Sequence, residues 1–127
     1  MPQLILGWLL PEEERAALLA VVAPRYPRVV AHHVTLRPGL RKDHPLPAET
    51  TGRVVGTADD GRGVQALVVE IGGTTNRPGG STYHITWSLG LGRKPVESND
   101  VIREHGWMPL APPRPIRLRP AVFGPGR

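Results

Sequence analysis

The stretch Thr82-Tyr83-His84-Ile85-Thr86-Trp87-Ser88-Leu89 alternates polar and apolar side chains without a break. A β-strand turns successive side chains to opposite faces, so this pattern predicts a strand with Tyr83, Ile85, Trp87 and Leu89 packed. Thr82, His84, Thr86 and Ser88 then share the open face. The layout recurs upstream between Val29 and Arg37, where His33, Thr35 and Arg37 share one face and Val34 and Leu36 the other. Both copies read His, apolar, Thr, apolar, and they lie 84 − 33 = 51 residues apart. Each can therefore occupy its own supersecondary unit, and the rest of the chain reads as a scaffold that brings two imidazoles together.

The scaffold can be followed in order. Leu4 to Trp8 reads as an opening strand. Pro11 and the acidic Glu12, Glu13 and Glu14 suit the first turn of a helix, where the dipole favours negative charge. Pro24 stops that helix, and a strand follows from about Arg28 to Arg37. Pro38 to Thr51 is a long loop. Gly52 to Ala58 and Val64 to Ile71 form a hairpin across Asp59-Asp60-Gly61-Arg62-Gly63. Gly72 to Ser81 is a second loop, whose glycines match no phosphate-loop spacing because no Lys-Ser/Thr follows. A short helix over Val96 to His105 buries Val101 and Ile102 and ends at Gly106. Ile116 to Phe123 alternates loosely, and Pro120 puts this last strand at an edge. The expectation is one domain, 1–127, with a Pro-rich segment after about 108.

A chain of 127 residues suits one domain with a modest core. It contains no cysteine, which excludes disulfides, thiol nucleophiles and thiolate metal sites. No apolar run approaches the roughly 18 residues of a membrane span. The N-terminus lacks the basic residues and cleavage site of a secretory signal, so a cytoplasmic location is expected. The net charge is +5, carried almost entirely by Arg, which can grip a phosphate with two parallel hydrogen bonds. That favours a nucleic-acid or nucleotide partner; a solvated surface rich in Arg has the same composition, which does not choose between them.

Two imidazoles facing one cavity suit in-line phosphoryl chemistry. A neutral His can take a proton from water while a protonated one gives a proton to the departing oxygen. The Thr two residues beyond each His lies on the same face, so its hydroxyl can donate to a non-bridging phosphate oxygen. Candidate catalytic residues are thus His33, Thr35, His84 and Thr86. Arg37, Ser88, Arg77 and Lys94 are candidate substrate contacts, although loop and strand-end charges are often merely solvated. The scheme calls for no metal and no cofactor.

His33-Val34-Thr35-Leu36 and His84-Ile85-Thr86-Trp87 resemble the paired signature of the 2H phosphoesterases. The chain looks most like the cyclic phosphodiesterase domain of plant-type tRNA ligases. There a Thr-Ala strand similar to Val55-Gly56-Thr57-Ala58-Asp59 intervenes, and a Lys-containing turn and a short helix with Asn near its start follow, as in Lys94 to Val101. The likeness covers roughly Val29 to Trp107. It implies a compact α+β fold, with antiparallel sheets in two pseudo-symmetric lobes lining a central groove and two short helices. It also implies metal-independent opening of a 2′,3′-cyclic phosphate on an RNA end or a nucleotide, as in RNA repair or processing. The chain has no room for ligase or kinase domains, which leaves a stand-alone esterase or a separate repair component.

Two other functions compete. One is a non-catalytic RNA- or nucleotide-binding module of the same fold; the other is an esterase for a small cyclic phosphate or lactone. Among the remaining histidines, His32 should alternate away from His33 and pack or face outward. His44 sits in a polar loop, and His105 suits a helix C-terminus. A metal site built from His32, His33 and His44 lacks supporting ligand spacing. Trp87 and Tyr83 should be core.

Overall fold

A computed structural model describes residues 4–39 and 41–124. The chain runs β1 (Leu4–Leu9), α1 (Glu12–Val21), β2 (Arg28–Val29), β3 (His33–Gly39), β4 (Thr51–Asp59), β5 (Val64–Glu70), β6 (Asn76–Arg77), β7 (Ser81–Thr82), β8 (His84–Leu89), α2 (Glu97–His105), β9 (Met108–Arg117) and β10 (Arg119–Phe123). This is an α+β fold built on one antiparallel sheet in the order β10-β1-β3-β8-β5-β4-β9, with β2 also paired to β8. The pair β6-β7 stands apart from it.

The interior strand β5 explains where the core lies. Its sequence is apolar on both faces, and both are covered. Val64, Ala66 and Val68 pack with Leu89 beneath Val101 and Ile102 of α2. Leu67 and Val69 face the larger core of Trp8, Leu18, Val34, Ile85 and Trp87. Each large side chain buried this way is worth about 1.5–3 kcal/mol. The indole nitrogens are satisfied as well: Trp87 Nε1 donates to the Val22 carbonyl at 3.0 Å, and Trp8 Nε1 to that of Glu49 at 2.9 Å. Tyr83 is buried edge-on to Trp8, with ring centroids 5.7 Å apart.

The Pro-rich segment after 108 differs from the expected single last strand. It forms both β9 and β10, which cap opposite ends of the sheet yet are separated in sequence by Leu118 alone. The sheet therefore curls until its two ends nearly meet, and Ile116 and Leu118 close the larger core. Proline explains this use of the segment. Pro109, Pro112, Pro113, Pro115 and Pro120 lack the N–H that a further strand would need, so these strands suit edges and discourage intermolecular pairing.

The strand expected over Arg28 to Arg37 is likewise two strands. Ala31 adopts φ +45° and breaks the ladder between β2 and β3. Its peptide is held from both sides: its N–H donates to the Thr86 carbonyl at 2.9 Å, and its carbonyl accepts from Arg15 Nε at 3.0 Å. The loop expected over Gly72 to Ser81 contains β6 and turns through Gly79 and Gly80, at φ +99° and +97°, where a side chain would be strained. The remaining elements fall close to their expected places.

Candidate functional site

The strands β3 and β8 are neighbours at the centre of the sheet, and Val34 faces Ile85 in their one shared register pair. Both of those side chains enter the larger core. The residues flanking them must point to the other face, so His33 and Thr35 on one strand and His84 and Thr86 on the other line a common groove. The groove holds about 540 Å³. Leu36, Arg37 and Pro38 continue its wall along β3, and Arg77 and Pro78 enter from the glycine-rich turn. Pro95, Val96 and Asn99 border it at the start of α2. No carboxylate lines it among the described residues.

Arg77 spans this space. Its Nη1 donates to the Thr35 carbonyl at 3.4 Å and its Nη2 to Asn99 Oδ1 at 3.3 Å. Asn99 Oδ1 also accepts from Ser81 Oγ at 3.4 Å. Burial disfavours the guanidinium's charge and lowers its pKa, and among the described residues it forms no ion pair. A desolvated cation in a groove without carboxylates favours an anionic guest. Sequence reasoning named Arg77 as a candidate substrate contact, but it missed Ser81 and Ser98; Asn99 entered only as the Asn of the short helix.

The two imidazoles are held differently. His84 Nδ1 lies 2.9 Å from the Thr82 carbonyl, which can only accept, so Nδ1 carries the hydrogen. In the neutral ring Nε2 is then the free acceptor. His33 Nδ1 lies 3.0 Å from His32 Nδ1, and the His33 ring packs edge-on against Phe123 with centroids 5.0 Å apart. His32 thus does not alternate away: it precedes β3, which begins at His33, and its ring lies 5.2 Å from that of His33. Thr35 Oγ1 has no hydrogen-bond partner among the described residues. Thr86 Oγ1, in contrast, donates to the Pro95 carbonyl at 3.2 Å and meets Ser98 Oγ at 2.9 Å.

Ser88 does not belong to the groove. The β5–β8 ladder slips between Thr86 and Ser88, and this bulge reverses the alternation. Leu89 therefore joins the core under α2, while Ser88 turns to the α1 side. There it is fully buried, donating to Gln65 Oε1 at 2.5 Å and accepting from the Tyr26 N–H at 3.2 Å. Lys94 is exposed in the turn after β8 and lies outside the groove lining. His44 is half-buried and bonded to the Pro45 carbonyl, and His105 is exposed at the end of α2. No cluster of three potential metal ligands occurs among the described residues, and none of their helices is long and apolar enough to cross a membrane.

Burial, and then the neighbouring His32 and His84, push the His33 imidazole down from 6.5 to about 4. His84 is lowered too, by burial and by Arg77, against the opposing Thr82 bond. A group whose folded pKa is depressed binds protons more readily when unfolded. The His33 contribution to stability is therefore complete above pH 6.5 and is lost as pH falls to 4, by about 2–3 kcal/mol. We expect the urea midpoint to drop across that interval, and His33→Asn to remove much of the slope. An equal slope in the variant would contradict the assignment.

No family model, no curated protein and no solved structure matches this chain.

Proposed function

We propose that the protein is a 2H-type phosphoesterase that opens 2′,3′-cyclic phosphates on RNA ends or small nucleotides. The observation that carries this reading is the convergence of His33, Thr35, His84 and Thr86 on one groove, beside a desolvated Arg77 and without a carboxylate. The placement of β3 and β8 as adjacent central strands, each giving one His-x-Thr, supports a pseudo-symmetric 2H arrangement.

In the proposed reaction a water oxygen attacks phosphorus while His84 Nε2 accepts the water proton. The bond to one ribose oxygen breaks, and that oxygen takes a proton from the imidazolium of His33. The product is a terminal phosphomonoester. Arg77 and the Thr35 hydroxyl hold the non-bridging oxygens, where charge grows in the transition state. Thr86 can join them once its hydroxyl turns from the Pro95 carbonyl, with Ser98 remaining as its partner. Arg37, at the open end of β3, suits the rest of a polyanionic substrate.

The test is incubation of the protein with a 2′,3′-cyclic nucleotide in excess chelator, followed by identification of the phosphomonoester. The proposal expects hydrolysis at undiminished rate, and activity lost to the chelator alone would replace it with a metal enzyme. The pH dependence carries its own expectation. The reactive form has one neutral and one protonated imidazole, and both rings titrate below their ordinary value. The bell of kcat/KM, which reports the free protein, is therefore centred below pH 6.5. A bound phosphate anion favours the imidazolium, so the alkaline limb of kcat lies at higher pH than that of kcat/KM. A bell centred above 7 would count against these roles.

The same lowered rings favour a second reading, a non-catalytic RNA- or nucleotide-binding module, because neither is charged at neutral pH. Salt-sensitive binding of the cyclic nucleotide with no turnover from pH 5 to 8 would select it.

A further inference from the structure

We propose that His32, which lies outside the groove lining, is a positioning residue that sets the tautomer of His33. The inference rests on the proposed phosphoesterase reading for its consequence in turnover, and on geometry for its physical content. The two Nδ1 atoms stand 3.0 Å apart, so one hydrogen is shared between them. The neutral His33 ring presents Nε2–H to the groove only if its Nδ1 accepts from His32 Nδ1–H. The backbone makes this contact. A regular strand would send adjacent side chains to opposite faces, but β3 begins at His33, so His32 stands outside it and is not bound by that alternation.

Phe123 of β10 packs against both rings, with centroids 6.0 Å from His32 and 5.0 Å from His33, and restricts their rotation. His32 is exposed, so its own ring exchanges protons with water. When His33 becomes an imidazolium, His32 takes the alternative tautomer and its Nδ1 accepts from His33 Nδ1–H. Once the leaving oxygen has taken the Nε2 proton, neutral His33 keeps its hydrogen on Nδ1. Nε2 regains one from water in the groove after product leaves, and the Nδ1 hydrogen passes back to His32, which releases its Nε2 proton to solvent. The other titratable or charged groups in the groove are His84 on β8, Arg77 on β6 and Arg37 on β3. None of these supplies a hydrogen bond to the His33 ring.

His32→Ala and His32→Asn test this, since the Asn amide can occupy the place of the imidazole Nδ1. Nitrogen-detected NMR of His33 reads the tautomer and the pKa directly, whether or not the protein turns over a substrate. We expect His33 in the parent and in His32→Asn to hold its hydrogen on Nε2, and in His32→Ala to be a mixture. We also expect its pKa to rise in both variants, because the repulsion from His32 is gone. With a 2′,3′-cyclic nucleotide, His32→Ala should lose on the order of 10-fold in kcat with KM unchanged, and His32→Asn should recover most of that loss. An unaltered His33 tautomer in His32→Ala, or a loss confined to KM, overturns the proposal. An altered tautomer in a protein that hydrolyses nothing retains the dyad and rejects the phosphoesterase reading.

Discussion

Replacing His84 by Ala is expected to lower turnover of a 2′,3′-cyclic nucleotide by about 10³-fold, within the range for loss of a positioned acid or base. His33→Ala should lose a similar amount, and the double variant little more, because groups that act in one step are not additive. Both proteins should stay folded. Each imidazole is partly desolvated in the native state, and burial is the leading cause of both lowered pKa values. Steady-state rates at matched circular dichroism spectra would check this. Two losses that multiplied in the double variant would show the rings acting in separate steps.

Gly7→Ala is expected to have the largest effect on stability, at least about 3 kcal/mol, with loss of the groove. Gly7 pairs with Thr35 where the β1–β3 ladder slips by one residue. A methyl there would overlap the Val34 carbonyl oxygen and lie 3.0 Å from the Leu36 N–H. The obstacle is backbone on the strand that carries His33 and Thr35, so no rotamer change relieves it. The urea midpoint measures the loss, and an unchanged midpoint would mean that β1 and β3 can separate at little cost. Gly56→Ala offers a contrast, because the added methyl meets the Trp107 ring and the Met108 carbonyl, away from the groove. It should destabilise the protein while leaving activity of the folded fraction intact.

Alternation located four groove residues because Val34 and Ile85 are buried and their flanking residues must point away. The same rule misplaced Ser88. A serine satisfied by Gln65 inside the protein and a serine facing water look identical in hydropathy, and the bulge that separates them leaves no mark in composition. His32 was misread for a related reason, since nothing in the run Val29 to Leu36 shows that the regular strand begins only at His33. Of the Pro-rich segment only Ile116 to Phe123 read as a strand, at an edge; β9 carries Pro109, Pro112, Pro113 and Pro115 as well, because at a sheet end the donors they lack are not needed. Arg77 lay in a loop, where distant partners such as Thr35 and Asn99 cannot be read from neighbours in sequence.

The meeting of β9 and β10 across Leu118 has a consequence for how the chain is born. Ile5 pairs with Phe123, 123 − 5 = 118 positions away, so β1 waits for a strand made 118 residues later. Until Phe123 arrives, the nascent His33 has no aromatic wall beside it, and both borders of the sheet stand open. Such distant pairings make folding slow, and the groove should assemble late, as one event with closure of the sheet.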